Sequence, residues 1–145
     1  KGELFVGDRN GTIFRVEDNQ AMVYAAILQS YIGFHLDFDK EDNLFVSNPV
    51  HMGENFLYKI DKNGRSQVFY EGYSLFHGFS FDNDNNIYLA EGKRGESRIL
   101  RIAPDRSLEV VLAGQDFIGT AFDNDENLLA CTTHNIYRIP KSMLI

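Results

Sequence analysis

Residues Phe81-Asp82-Asn83-Asp84-Asn85-Asn86-Ile87-Tyr88-Leu89-Ala90 decide how this chain is read, because the phrase recurs twice. It returns as Phe38-Asp39-Lys40-Glu41-Asp42-Asn43-Leu44-Phe45-Val46 and as Phe122-Asp123-Asn124-Asp125-Glu126-Asn127-Leu128-Leu129-Ala130. The copies start 43 and 41 residues apart. An apolar-apolar-basic-apolar phrase follows each one: Leu57-Tyr58-Lys59-Ile60, Ile99-Leu100-Arg101-Ile102 and Ile136-Tyr137-Arg138-Ile139. An earlier partial copy holds Leu4-Phe5-Val6 and Ile13-Phe14-Arg15-Val16, and a weaker phrase adds Val23-Tyr24, Val68-Phe69 and Val110-Val111. A tandem period of about 42 residues belongs to solenoids and propellers.

The local pattern separates the two. No segment carries apolar residues at helical spacing over ten or more positions, whereas each is short, β-branched or aromatic and bounded by turn residues. One repeat parses into four strands, A to D: Gly78 to Phe81, Asn86 to Ala90, Ile99 to Ile102 and Leu108 to Leu112. Runs such as Ile-Tyr-Leu-Ala are apolar on both faces, so neighbours must cover both sides of the sheet. A four-stranded sheet sandwiched between like sheets is a propeller blade. The expectation is an all-β, partial β-propeller of about three and a half four-stranded blades. The whole chain, 1–145, forms one propeller segment, with repeats near 1–32, 33–76, 77–117 and 118–145.

Between strands A and B the Asp-x-x-x-Asn loops keep one length and use residues that bond their own backbone and tolerate positive φ. Acids at the first and third places also resemble the start of a calcium loop. The sixth-place glycine and the distant bidentate Glu of such a loop are missing, which favours a structural turn. The strand-C basic residue (Arg15, Lys59, Arg101, Arg138) recurs with the Asp opening each turn (Asp39, Asp82, Asp123), as a structural pair would. Asp61-Lys62-Asn63-Gly64 and Ala103-Pro104-Asp105-Arg106 read as tight C to D turns.

Composition narrows function. The 145 residues carry 21 Asp and Glu against 14 Lys and Arg, a net charge of -7, which provides no footprint for nucleic acid or anionic lipid. The single Cys131 makes neither an internal disulfide nor a Cys-x-x-Cys clip and reads as a small buried hydrophobe. No apolar run reaches the roughly 18 residues that span a bilayer, and no signal pattern stands at the N-terminus, so the compartment is unassigned. No Gly-x-Ser-x-Gly elbow occurs, and Glu91-Gly92-Lys93-Arg94-Gly95-Glu96 reads as a solvated loop rather than a phosphate cradle.

With these phrases the chain resembles the six-bladed propellers of the NHL-repeat and gluconolactonase, regucalcin and strictosidine-synthase-like superfamily. Gly78-Phe79-Ser80-Phe81-Asp82-Asn83-Asp84 through Leu89 and Gly119 through Ala130 carry the likeness, which is specific for fold and weak for activity. In the metal-dependent lactonases of that superfamily an Asn or Asp precedes the strand-A glycine and binds a divalent ion. Those positions here hold Phe34, His77 and Ile118, and His35 replaces the first glycine. Hard cations require oxygen ligands, so a divalent cofactor such as calcium is unsupported by these residues. Only His77 remains as a catalytic candidate, against the reading of a hydrogen-bonded structural histidine.

The A to B turns keep one length whereas the B to C loops vary, and variation concentrated on one face marks the binding face of a repeat protein. That face would present Asp8, Arg9, Asn48, His51, Glu54, Lys93, Arg94 and His134 from B to C loops. Tyr31, Tyr73, Phe76, His77, Asp116 and Phe117 would come from D to A loops, with His35 nearby. Three and a half blades leave sandwich faces uncovered. Starting in mid-blade at Lys1, with Ser142 to Ile145 starting a last strand D, the chain is expected to be completed by upstream blades or by a second copy in a C2 pair. Two functions follow as expectations: a scaffold recognising a small molecule or protein, and a metal-dependent lactone or ester hydrolase whose ligands come mainly from elsewhere.

Overall fold

The computed structural model describes residues 2–30, 33–48, 53–93 and 95–144. Among the described residues fourteen strands form four antiparallel sheets, in two compact units. The first unit, Lys1–Tyr73, holds two sheets. One is β1 (Leu4–Gly7), β2 (Thr12–Glu17) and β3 (Gln20–Ala26); the other is β4 (His35–Phe38), β5 (Leu44–Asn48), β6 (Asn55–Ile60) and β7 (Ser66–Gly72). The second unit, Ser74–Ile145, holds β8 (Leu75–Phe81), β9 (Ile87–Lys93), β10 (Glu96–Ile102) and β11 (Leu108–Gly114). Its other sheet is β12 (Phe117–Phe122), β13 (Leu128–Thr132) and β14 (Ile136–Ile139). Within each sheet the strands pair in chain order, which is the up-and-down meander of a propeller blade.

Doubly apolar strands end up where they should. All five residues of β5 are buried, and Ile87 to Ala90 of β9 are buried likewise. In the first unit Ile13 and Ala25 of one sheet pack on Leu44, Val46 and Ile60 of the next. In the second, Tyr88, Ala90 and Ile99 pack on Phe117, Leu128 and Ala130. Each wholly buried Leu or Ile is worth roughly 1.5–3 kcal/mol relative to exposure.

The A to B turns are tied by their first Asp. Oδ1 of Asp82 accepts the backbone N–H of Asp84 at 2.8 Å and of Asn86 at 2.9 Å, and Oδ2 accepts the Asn86 amide at 2.8 Å. Asp39 repeats this with Glu41 and Asn43, and Asp123 with Asp125 and Asn127. The fourth residue takes positive φ in each turn: Asp42 at 62°, Asn85 at 64° and Glu126 at 60°. The carboxylates are thus consumed within the turns. The strand-C cations meet them in two blades, Lys59 to Asp39 at 3.6 Å and Arg138 to Asp123 at 2.7 Å. In the third, Arg101 reaches Glu109 at 3.1 Å, and in the first Arg15 pairs with Glu3 and Glu17.

Four expectations are corrected. Most of Glu91 to Glu96 is no solvated loop: β9 runs on to Lys93 and β10 starts at Glu96, pairing Glu91 with Arg98 and Glu96 with Lys93. Strand A of the third repeat begins at Leu75, not Gly78, because Leu75 and Phe76 find partners in Gly92 and Glu91 before a bulge at 77–78. Ser142 does not open a fourth strand. Pro140, which lacks an N–H, is followed by a 3-10 turn over Lys141–Met143, closed by Met143 N–H to Pro140 O at 2.9 Å. Cys131 is only half-buried, with Sγ 3.5 Å from the Gly119 carbonyl oxygen.

Candidate functional site

Two clefts open at the loop-bearing ends of the strands in the second unit. The first, about 510 Å³, lies between the β11–β12 turn and the β13–β14 turn. Gln115-Asp116 makes the former, with Asp116 at φ 59°, and Gly114 allows Phe117 to fold back: a Cβ there would stand 3.0 Å from the Phe117 ring. The β13–β14 turn is built by Thr132. Its hydroxyl oxygen accepts the N–H of Asn135 at 3.0 Å and of His134 at 3.3 Å. His134 Nδ1 lies 2.8 Å from the Thr133 hydroxyl, and a donating hydroxyl leaves the ring proton on Nε2. Leu112, Phe117, Tyr137 and Ile139 form an apolar wall, and Asp116, Thr133, His134 and Asn135 form the polar rim.

The second cleft, about 440 Å³, lies at the β9–β10 hairpin. Glu91 lines it, wholly buried, with Oε1 held by the Arg98 guanidinium. Ser97 Oγ accepts the Phe117 N–H at 2.8 Å, which ties the hairpin to β12.

The remaining sequence-derived candidates scatter. His35 stands exposed at the head of β4, two residues before Asp37 on the same strand face. Partial burial pushes the imidazole of His35 below its usual range. Burial also raises the Asp37 carboxyl, opposed by the Phe38 N–H it accepts at 2.8 Å. Tyr73 is exposed, and its hydroxyl donates to Glu54 at 3.3 Å. Phe76 is corrected outright: at 0% exposure it belongs to the core and is not presented to a ligand, since the extension of β8 turned an expected loop into a strand. His77 follows it in β8 and is half-buried. Phe117 is a core residue for the same reason. Lys93 ends β9, and His51, Tyr31 and Arg94 lie outside the described residues. Among the described residues, Asp116 and His134 are the polar candidates brought into one cleft, with Phe117 in its wall.

Asn48 was expected on a loop and instead closes β5, fully buried, its amide donating to Leu28 O at 2.8 Å while Oδ1 has no hydrogen-bond partner among the described residues. Glu91 holds the equivalent place at the end of the next strand B and was missed, as was Arg98. A signal existed: the residue closing this phrase is polar in every repeat, Asp8, Asn48, Glu91 and Thr132.

The lactonase-type metal positions do not suit a hard cation. Phe34 packs against the first unit's core, 3.0 Å from where a Cβ on Gly7 would lie, and Ile118 offers only hydrocarbon. Among the described residues no group of three or more His, Cys, Asp or Glu side chains is placed to share an ion.

These sheets, with their Asp-closed turns, have the fold of a partial β-propeller, and solved structures agree. The chain is similar to a streptogramin B lyase (14% identity, TM-score 0.76, covering 97% of this chain and 49% of that one). It is similar also to a gluconolactonase from Xanthomonas campestris important in glucose secondary metabolic pathways (15%, 0.71, 97% and 56%). A protein of unknown function from Bacteroides caccae matches as well (12%, 0.61, 97% and 58%). The chain therefore spans about half the length of the structures it matches. No protein-family model and no curated protein sequence matches it.

Proposed function

We propose that this chain is a propeller scaffold for ligand recognition, with the Asp116 and His134 cleft as its binding surface. The observation behind this reading is convergence: two polar side chains from separate turns face one concave site backed by Phe117 and Tyr137. An apolar wall with a few polar groups on its rim suits a small molecule with an apolar body and one or two hydrogen-bonding groups. A fragment screen by saturation-transfer NMR tests it. Fragments should bind the native chain and lose binding in Asp116→Ala/His134→Ala; equal binding to the double variant would overturn the reading.

The second reading is a metal-dependent lactone hydrolase, favoured by the likeness to a gluconolactonase and by His77 at the strand-A position. Phe34 and Ile118 oppose it, so the ligands would have to come from other blades. Calcium- or zinc-stimulated lactone hydrolysis by a completed ring, abolished in His77→Ala, would support it.

Completion itself is the third element of the proposal. Among the described residues no strand pairs with the outer edge of β14, where Ile136 is 75% exposed, or with the inner edge of β1. Further blades, or a second copy, would cover these edges.

A further inference from the structure

In three of the four sheets strand C is followed by a strand D, and that pairing obeys one rule. Phe14, Tyr58 and Leu100, the second residues of their strand-C phrases, stand opposite Val23, Val68 and Val110. The first residues of the phrases, Ile13, Leu57 and Ile99, stand opposite Ala25, Tyr70 and Leu112. One residue of strand D is therefore left over between the two pairs, Tyr24, Phe69 or Val111, a bulge at the same place each time. β14 repeats the phrase as Ile136-Tyr137-Arg138-Ile139 and keeps the same register on strand B, Tyr137 on Ala130 where Tyr58 lies on Val46. Among the described residues it has no strand D.

The described residues after β14 do not turn back to supply one. Asp61 and Ala103, first after strand C in their repeats, donate their N–H to Arg65 O and Ser107 O, each at 3.0 Å. The fourth residue of each of those turns takes positive φ, Gly64 at 76° and Arg106 at 69°. Pro140 holds the first place after β14 and has no N–H to give. Met143 holds the fourth place in a 3-10 turn, and Leu144 beyond it packs against the core of the second unit.

An open strand edge presents a row of backbone donors and acceptors, which an extended chain satisfies and a compact small molecule does not. Cross-strand partners share a sheet face, and Tyr137 and Ile139 wall the cleft that Asp116 and His134 rim. A residue opposite Tyr137 therefore enters that cleft, which Leu112 also lines. The bulge disfavours a second β14 as the occupant. It sets two residues of the incoming strand against one of β14, whereas two β14 strands about a twofold axis are equivalent partners. Arg138 already holds Asp123 at 2.7 Å and Asp125 at 3.4 Å, so the place opposite it requires no acid.

We propose that the outer edge of β14 binds an extended peptide segment by strand addition, with a valine opposite Tyr137 and a bulged residue directly after it. The interface continues a pairing that this chain already makes three times. The proposal rests on the reading of the Asp116 and His134 cleft as a binding surface and names the side chain that fills it.

The test is a ¹⁵N-HSQC titration of the full chain with the capped peptide Arg-Ser-Gln-Val-Phe-Tyr-Glu-Gly, the sequence of residues 65–72. The peptide should shift the amides of Ile136 to Ile139 saturably, and isotope-filtered NOEs should join its valine methyls to the Tyr137 ring. Replacing that valine by Asp should weaken binding about fivefold, the scale of a half-buried valine. Ile136→Lys, at an exposed residue of the edge, should weaken it as well. Fragment binding to the same sample reads the cleft by itself, so fragments that bind where the peptide does not would overturn this proposal and leave the cleft. Equal binding of a scrambled peptide, or NOEs that join Tyr137 to a residue other than the valine, would overturn it too. A self-associated chain whose β14 amides the peptide fails to shift would assign the edge to a second copy and overturn it likewise.

Discussion

Gly64 in the β6–β7 turn sits directly beneath the carbonyl of Tyr24 on β3, so close that a Cβ on it would stand 2.0 Å from that oxygen. The Tyr24 hydroxyl donates to Asp61 O, at the head of the same turn, at 2.7 Å. One sheet of the first unit is thereby keyed into the next by a turn glycine and a tyrosine.

Gly64→Ala should accordingly destabilise by about 2–4 kcal/mol, since φ of 76° is unfavourable for a side chain and the clash is with backbone. Tyr24→Phe, which removes only the hydroxyl, should cost about 1 kcal/mol. Urea unfolding measures both, and a Gly64→Ala loss no larger than that of Tyr24→Phe would contradict the close contact.

Arg98 is expected to matter through Glu91. Arg98→Ala leaves a fully buried carboxylate without its cation and should cost about 3 kcal/mol. The paired replacement Glu91→Leu with Arg98→Met should recover most of that loss, because it removes both charges together. A double-mutant cycle reads the coupling, and additivity of the single changes would show that the pair is not coupled.

Acid should loosen the turn between β12 and β13. Backbone N–H groups of Asn127 and Asp125, with Arg138 and the Asn127 side chain, hold the Asp123 carboxyl down at about 2, from an ordinary 3.8. A depressed folded value means that the ionised turn stabilises the fold above pH 3.8 and that this contribution is lost as pH falls towards about 2. Side-chain carboxyl NMR should place the Asp123 midpoint near that value. In Asp123→Asn the fall in stability between those limits should be shallower; an unchanged slope would show that other carboxylates govern it.

The exposed edge of β14 should drive association. Light scattering on the isolated chain should show species larger than a monomer that decrease with Ile136→Lys, a charge placed on the edge strand. A well-folded monomer at high concentration would remove the need for completing blades or a second copy.

The repeating phrase around Phe81 was enough to read the sheets, their order and their turns. An Asp that bonds backbone two and four residues ahead is short-range chemistry, and a strand apolar on both faces states its own burial. The Asp116 and His134 turns were legible as candidates, but their meeting in one cleft was not, because it depends on Phe117 folding beneath Gly114 and on Thr132 shaping the facing turn.

For other features the only local signature was a polar residue closing the strand-B phrase, which says nothing of burial. Glu91 and Arg98 lie seven residues apart in a stretch as polar as any loop, and cross-strand pairing made them a buried ion pair. Phe76 and Asn48 look like face residues in one dimension and are buried in three, since strand length is set by partners found across a sheet. Residues that bond neighbours in the chain can be read from the chain. Those whose burial depends on where another strand ends become visible only when the sheets are assembled.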